Sequence, residues 1–218
     1  RRSEGVVLGD LGLISINRGY YEQAVHYFEK ALEIQTEIGD EFGACFNYGN
    51  MGLARSRMGR EHEAIALYEQ AIRLARSVGD PRSEGVFIGN LGDTLVALER
   101  WEEAESRLRA AIEICDATIP VAAGSFRGSL ALLLCHRESF VAAMEAIRLG
   151  EEQVRPIPEE FAKFLCKKGR VQYRSGALDD ARLSLNRAQR LVRELKLDEN
   201  GDVGQSVARL TVLLADEG

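Results

Sequence analysis

The sequence is poor in proline, with 4 residues, and poorer in tryptophan, with 1. No apolar run approaches the ~18 residues that a membrane-spanning helix needs. The longest clear one is Leu130 to Cys135, so no membrane association is expected. Positive charge is also in deficit. Lys and Arg number 28 against 34 Asp and Glu, a formal net charge of −6, which argues against a general nucleic-acid binder. Catalytic signatures are missing as well: there is no Walker A sequence, no HExxH and no GxSxG. His62-Glu63 comes nearest, but Ala66 stands where the second metal-binding histidine would have to be. Four cysteines (Cys45, Cys115, Cys135, Cys166) form no CxxC pair, and no Asn-x-Ser/Thr acceptor site occurs. Reduced thiols and a cytoplasmic setting are the expectation. The chain opens at Arg1 rather than Met, without a signal peptide, which reads as an excised or processed piece.

What the sequence does have is a core-forming composition, 45% hydrophobic and 28% charged over 218 residues, together with 21 glycines. A helical chain avoids glycine unless position demands it. The position is set by an internal repeat. Residues 2–12, Arg-Ser-Glu-Gly-Val-Val-Leu-Gly-Asp-Leu-Gly, return at 82–92 as Arg-Ser-Glu-Gly-Val-Phe-Ile-Gly-Asn-Leu-Gly. Half that shift works too: Gly9, Gly49 and Gly89 are 40 apart, as are Gly12, Gly52 and Gly92. A period in this range signals stacked supersecondary units.

Within each unit the apolar spacing predicts helix, short turn, helix. In the second unit helices are expected over 41–57 and from about 61 to 78, the latter with Ala64, Leu67, Tyr68, Ala71, Ile72 and Ala75 on one face. Gly79-Asp80 ends it and Pro81 opens the next helix. Later units drift but keep phase, through Ala131, Phe140, Ala143, Ile147 and Gly150, then Gly169, Gly176, Leu178, Ala181, Leu185 and Ala188. Repeats are thus expected at about 1–40, 41–80, 81–119, 120–157 and 158–198, with a terminal helix at about 202–216 that reads as half a repeat. Gly12, Gly52 and Gly92 are expected opposite Ala24, Ala64 and Ala104, where small residues let paired helices approach.

The recurring motif is Leu11-Gly12, Gly19, Tyr21, Ala24, Phe28, Ala31; then Met51-Gly52, Gly59, Ala64, Tyr68, Ala71; then Leu91-Gly92, Trp101, Ala104, Leu108, Ala111. It resembles the tetratricopeptide repeat in its longer variety of about 40 residues. Glu61 at an aromatic position and Glu99 at a turn glycine depart from the pattern. The long variety is similar to repeats in kinesin light chains, G-protein signalling modulators and bacterial signalling regulators. The resemblance implies an all-α, right-handed α-α superhelical solenoid of five helix-turn-helix repeats plus a C-terminal helix, a single domain over 1–218. It also implies that the first helices line a concave groove, and that the role is non-catalytic protein binding.

On that groove, the position two before the reference residues Gly12, Gly52, Gly92, Ala131 and Gly169 holds Asp10, Asn50, Asn90, Ser129 and Lys167. In many repeats of the family an asparagine here holds the backbone of an extended peptide, and an amide suits that task because it both donates and accepts. Three before the reference stand Gly9, Gly49, Gly89 and Gly128, a choice between an open groove floor and a crowding neighbour. Leu13, Ile16, Leu53, Val96 and Leu132 are candidate apolar positions, Asp93 is a further groove candidate, and Arg57 is read as an extension of the basic lining of the fifth repeat. In the fifth repeat Lys163, Lys167, Arg170 and Arg174 share one helical stripe, extended by His136 and Arg137. Residues 155–196 hold 11 basic and 5 acidic side chains, leaving the rest of the chain at −12. This polarity points to an acidic segment or a free C-terminus as ligand. The competing reading of the stripe is a solvated face. Cys135-His136 with Cys166 could supply a thiol–imidazole pair or metal ligands only with a further partner that the spacing does not offer. No metal or cofactor is expected. The expected partner is a protein or peptide, with a regulatory or oligomerising scaffold segment of a larger signalling protein, including a homo-oligomer, as the alternative.

Overall fold

Apolar side chains every three or four residues bury only as amphipathic helices laid against one another. The computed structural model describes residues 1–198 and 201–215, and among them are eleven helices and no strand. The first repeat pairs α1 (Arg2–Asn17) with α2 (Tyr21–Ile38), the second α3 (Glu41–Arg57) with α4 (Glu61–Ser77), and the third α5 (Pro81–Ala97) with α6 (Trp101–Thr118). The fourth joins α7 (Pro120–His136) to α8 (Phe140–Val154), and the fifth α9 (Pro158–Arg174) to α10 (Leu178–Glu194). Helix α11 (Asp202–Ala215) stands alone; residue 216 of the expected terminal helix lies outside the described residues. The chain divides into two compact units, Arg1–Ile114 and Cys115 onward.

Each repeat turns in the same way. The residue seven after the reference is left-handed in all five: Gly19 (φ 77°), Gly59 (71°), Glu99 (58°), Glu138 (56°) and Gly176 (82°). The next residue's N–H reaches back five residues to close the helix end, from Tyr20 to Ser15 (2.8 Å), Arg60 to Arg55 (3.0 Å), Arg100 to Leu95 (3.0 Å), Ser139 to Leu134 (2.9 Å) and Ala177 to Gln172 (2.9 Å). The geometry is therefore imposed by the turn and not by the residue occupying it, and Glu99 and Glu138 accept a conformation that costs a side-chain-bearing residue roughly 1–2 kcal/mol. Glu99→Gly is expected to raise the unfolding free energy of the protein by about 1 kcal/mol, less than the full strain because glycine gains unfolded-state entropy. A urea midpoint that stays put or falls would show that Glu99 earns its place by some interaction beyond the turn.

In the first unit one core cluster is Ala24, Val25, Phe28 and Leu32 of α2 with Met51 and Ala54 of α3. Of the reference glycines, Gly12, Gly52 and Gly92 are covered by the bulky residue sixteen positions on, whereas Gly169 is covered by Leu210 of α11. A Cβ on Gly12 would overlap the Phe28 ring, one on Gly52 would meet Tyr68 at 2.9 Å, and one on Gly92 would meet Leu108 at 2.9 Å. The expected alanines Ala24, Ala64 and Ala104 are fully buried, but the closest cover over each glycine is the large side chain.

A second regularity answers the question left by the glycines three before the reference. A Cβ on Gly49 would overlap the Phe87 ring of the next first helix, and one on Gly128 would meet Phe164 at 3.0 Å. They are sockets for an aromatic knob and not a floor left open for a ligand. Gly9 faces Asn47 in the equivalent place, where a Cβ would meet Asn47 Oδ1 at 2.9 Å. Asn47 donates to Gln35 Oε1 at 2.8 Å, and its own Oδ1 is buried without a partner.

In the second unit, α7 and α8 cross through two glycines: a Cβ on either Gly124 or Gly150 would meet the other's carbonyl oxygen at 2.8 Å. Arg127 of α7 ties this pair to the end of α6, donating to Asp116 Oδ1 and Oδ2 at 2.6 and 2.7 Å and to Gln153 Oε1 at 2.7 Å. The guanidinium hydrogen bonds hold the Asp116 carboxyl below the usual carboxylate range. Helix α11 closes the unit through Val203, packed with Ala162 and Val192.

Candidate functional site

A first helix in the middle of a repeat stack packs on its own second helix and on the neighbours either side, which leaves one stripe uncovered. On α3 that stripe is Phe46, Asn50, Leu53 and Arg57, all exposed or half-buried. On α5 it includes Val86, Asn90 and Asp93, all half-buried. Helices α3 and α5 lie against each other, so Asn50 and Asn90 stand at one register on adjacent helices. Asn50 donates from Nδ2 to Phe46 O at 2.9 Å, which ties the amide to its own helix.

Arg57 and Asp93 both act on the buried hydroxyl of Tyr68, which the sequence placed on the packing face and gave no part in the groove. Tyr68 is 1% exposed, and its hydroxyl feels Arg57, Asp93 and a hydrogen bond with Thr94; burial dominates and pushes the phenol well above its ordinary range. Thr94 Oγ1 in turn donates to Asn90 O at 2.9 Å. The phenol end of Tyr68 therefore anchors the polar stripe from below. Of the expected apolar positions, Leu13 and Ile16 are half-buried and pack against the Phe28 cluster. Leu53, Val96 and Leu132 remain half-buried. Phe46, 41% exposed, is an apolar residue of this uncovered stripe that sequence reasoning missed; its signal was its place four residues before Asn50.

In the second unit the basic stripe of α9 divides. Lys163 pairs with Glu160 at 2.9 Å and Glu159 at 3.5 Å; burial opposes its charge, but Glu160 and the other acids hold it above the usual lysine range. Lys167 crosses to α7 and donates to Ser129 Oγ at 2.8 Å and Ser125 O at 3.0 Å, joining the equivalent positions of the two helices. Arg170 and Arg174 are exposed and have no carboxylate partner among the described residues. Desolvation, then repulsion from Arg174 and from Arg209 of α11, lowers the Arg170 guanidinium's affinity for its proton. Arg209 is the third cation of this group and comes from a helix that carried no site expectation. His136 and Arg137 end α7, exposed, and Arg174 lies near enough to Cys135 to act on its thiol.

All four cysteines are free and buried. Burial raises the thiols of Cys45 and Cys115 to about 11 and that of Cys166 to about 12, the opposite of what a nucleophile needs. Among the described residues no group of three or more His, Cys, Asp or Glu side chains could hold a metal ion, and no helix is long and apolar enough to cross a membrane.

The tetratricopeptide repeat family model matches residues 4–77 and, in a second register, 44–117. The chain belongs to the tetratricopeptide repeat family. Tetratricopeptide repeats are in general non-catalytic scaffolds of protein–protein interaction. Among solved structures, the chain is similar to BtubC (BKLC) from P. vanneervenii, with 18% identity, a TM-score of 0.68, and 87% of this chain and 80% of that one covered. A putative kinesin light chain with nearly identical TPR-like repeats, from P. anserina, matches with 15% identity and a TM-score of 0.64 over 91% and 99% of the two chains. The apo form of RapI matches with 13% identity and a TM-score of 0.71 over 98% and 84%. At these identities the likeness is one of fold. The sequence matches no curated protein.

Proposed function

We propose that this tetratricopeptide repeat protein is a non-catalytic peptide reader, which holds a segment of a protein partner along the stripe of its first helices. The observation that carries the reading is the matched pair Asn50 and Asn90, half-buried at one register on adjacent helices, with Phe46 and Leu53 beside Asn50 and Arg57 and Asp93 completing the polar lining. Amides at that depth are shielded enough to make strong hydrogen bonds and open enough to receive a peptide. In the second unit, taken by itself, an acidic residue or a free carboxylate is the ligand favoured by Arg170 and Arg174, which have no carboxylate partner among the described residues. The setting proposed is cytoplasmic, consistent with four reduced, buried thiols.

The test is selection of a random peptide library on the purified protein, with the folded Asn50→Ala/Asn90→Ala variant run in parallel. Enriched peptides with an acidic bias, lost on the variant, are the expected result. A well-folded protein that enriches nothing would replace the peptide reader with a scaffold bound to the rest of a larger assembly.

A further inference from the structure

The cations of α9 fall into two groups. In the earlier one, Lys163 pairs with Glu160 and Glu159, Lys167 donates to Ser129 and Ser125, and Lys168 pairs with Glu151 at 2.7 Å. In the later one, Arg170 and Arg174 stand one turn apart, exposed and with no carboxylate partner among the described residues. Helix α11 repeats the division. Its Asp202 acts on Lys163, and its Arg209, seven residues on, acts on Arg170, which is seven residues on from Lys163. The two helices therefore run side by side in one direction and in one register. A direct contact fixes that register: a Cβ on Gly169 would meet Leu210 of α11 at 2.6 Å. Arg170 and Arg209 are the residues next to that contact on either helix. Arg209 is exposed and also has no carboxylate partner among the described residues.

Three guanidinium groups thus share one end of the α9–α11 pair. Desolvation comes first among the influences on Arg170, and the like charges of Arg174 and Arg209 follow. The Cys166 thiol beside it is kept protonated by burial and supplies no counter-charge. Elsewhere in this unit arginines meet carboxylates of their own, Arg127 with Asp116 and Arg148 with Glu145 and Glu152. Here the repulsion is left standing, and only an anion from outside the chain relieves it. A carboxylate brings one charge and two oxygens to three cations. A phosphoryl group brings a charge of about −1.5 to −2 and three acceptor oxygens, which guanidinium forks engage in pairs. A nucleic-acid backbone is disfavoured as its carrier by the net charge of −6 on the chain.

We infer that Arg170, Arg174 and Arg209 form a site for a phosphoryl group, carried on a phosphorylated residue of a protein partner. The inference names the acidic residue that the peptide-reader proposal leaves general. It rests on that proposal for the carrier alone; the chemistry of the anion follows from the three arginines.

The test is titration calorimetry at low salt with a short peptide, capped at both ends, whose central residue is phosphoserine, glutamate or serine. The phosphoserine peptide is expected to bind about tenfold more tightly than the glutamate peptide, and the serine peptide not measurably. Arg170→Gln and Arg209→Gln, both at exposed positions, should each weaken the phosphoserine peptide about tenfold. Arg190→Gln on α10, an exposed arginine outside the group, removes the same charge and should leave binding unchanged. Equal affinity for phosphoserine and glutamate would overturn the phosphoryl assignment. An equal loss at Arg190→Gln would overturn the site, since a diffuse field would then account for the binding. Inorganic phosphate bound as tightly as the phosphoserine peptide would overturn the protein partner as carrier. The Asn50→Ala/Asn90→Ala variant should keep the phosphoserine peptide. A library selection that fails while this binding persists would remove the peptide reader and leave the arginine site.

Discussion

Gly49→Leu is expected to cost the protein about 3 kcal/mol of stability or more. The position is a socket: even a lone Cβ overlaps the ring of Phe87, and Phe87 is itself 5% exposed with nowhere to swing. Overpacking a buried crossing typically costs ~1–3 kcal/mol, and the leucine must also push α3 from α5, on whose contact the next repeat depends. Gly49→Leu combined with Phe87→Ala should recover a good part of the loss, since knob and socket are one contact and their effects do not add. Calorimetry of the two single variants and the double variant decides the matter. Additive losses would mean that the ring and the glycine do not meet.

The second large effect falls on binding. Asn50→Ala/Asn90→Ala should leave the thermal midpoint within a degree or two and weaken a selected peptide roughly 5- to 150-fold, from about 0.5–1.5 kcal/mol per amide. The range is set at two single hydrogen bonds because Asn50 already spends one N–H on Phe46 O. Asn90 carries the larger share if its amide meets the ligand through both ends. Titration calorimetry with the same peptide on Asn50→Ala and Asn90→Ala separates them. Undiminished affinity in the folded double variant would remove the amide pair from the binding face.

Helix order, the two-helix repeats and their turns were legible because glycine and alanine at a period of 40 report directly on where backbones approach. The helices at 41–57 and 61–77 lie within a residue of the spacing prediction. The site was legible only as a register. Counting from Gly52 and Gly92 gives Asn50 and Asn90 the same helical angle on adjacent first helices. It did not reveal that Lys167 is drawn away to Ser129 and Ser125, nor that Tyr68 lies beneath Arg57 and Asp93. Such partners are set by which helices touch, and no local pattern encodes them. The glycines at 9, 49 and 128 show the same limit from the other side. Their spacing announced a special position, but only the ring inserted at each, or the amide at Gly9, distinguishes a socket from an open floor.

The cysteines carry a practical consequence. Cys45 sits in the first compact unit and Cys115, Cys135 and Cys166 in the second. Each thiol is shielded from reagent by burial and kept in its unreactive protonated form by the same desolvation. Alkylation can proceed only through opening of the surrounding helices, so under conditions where reclosing outruns the reagent its rate measures an opening free energy. Four native sulfurs thus act as built-in gauges of how firmly individual repeats are closed. A bound peptide that fastens one set of helices would register as slower labelling at the sulfur they cover.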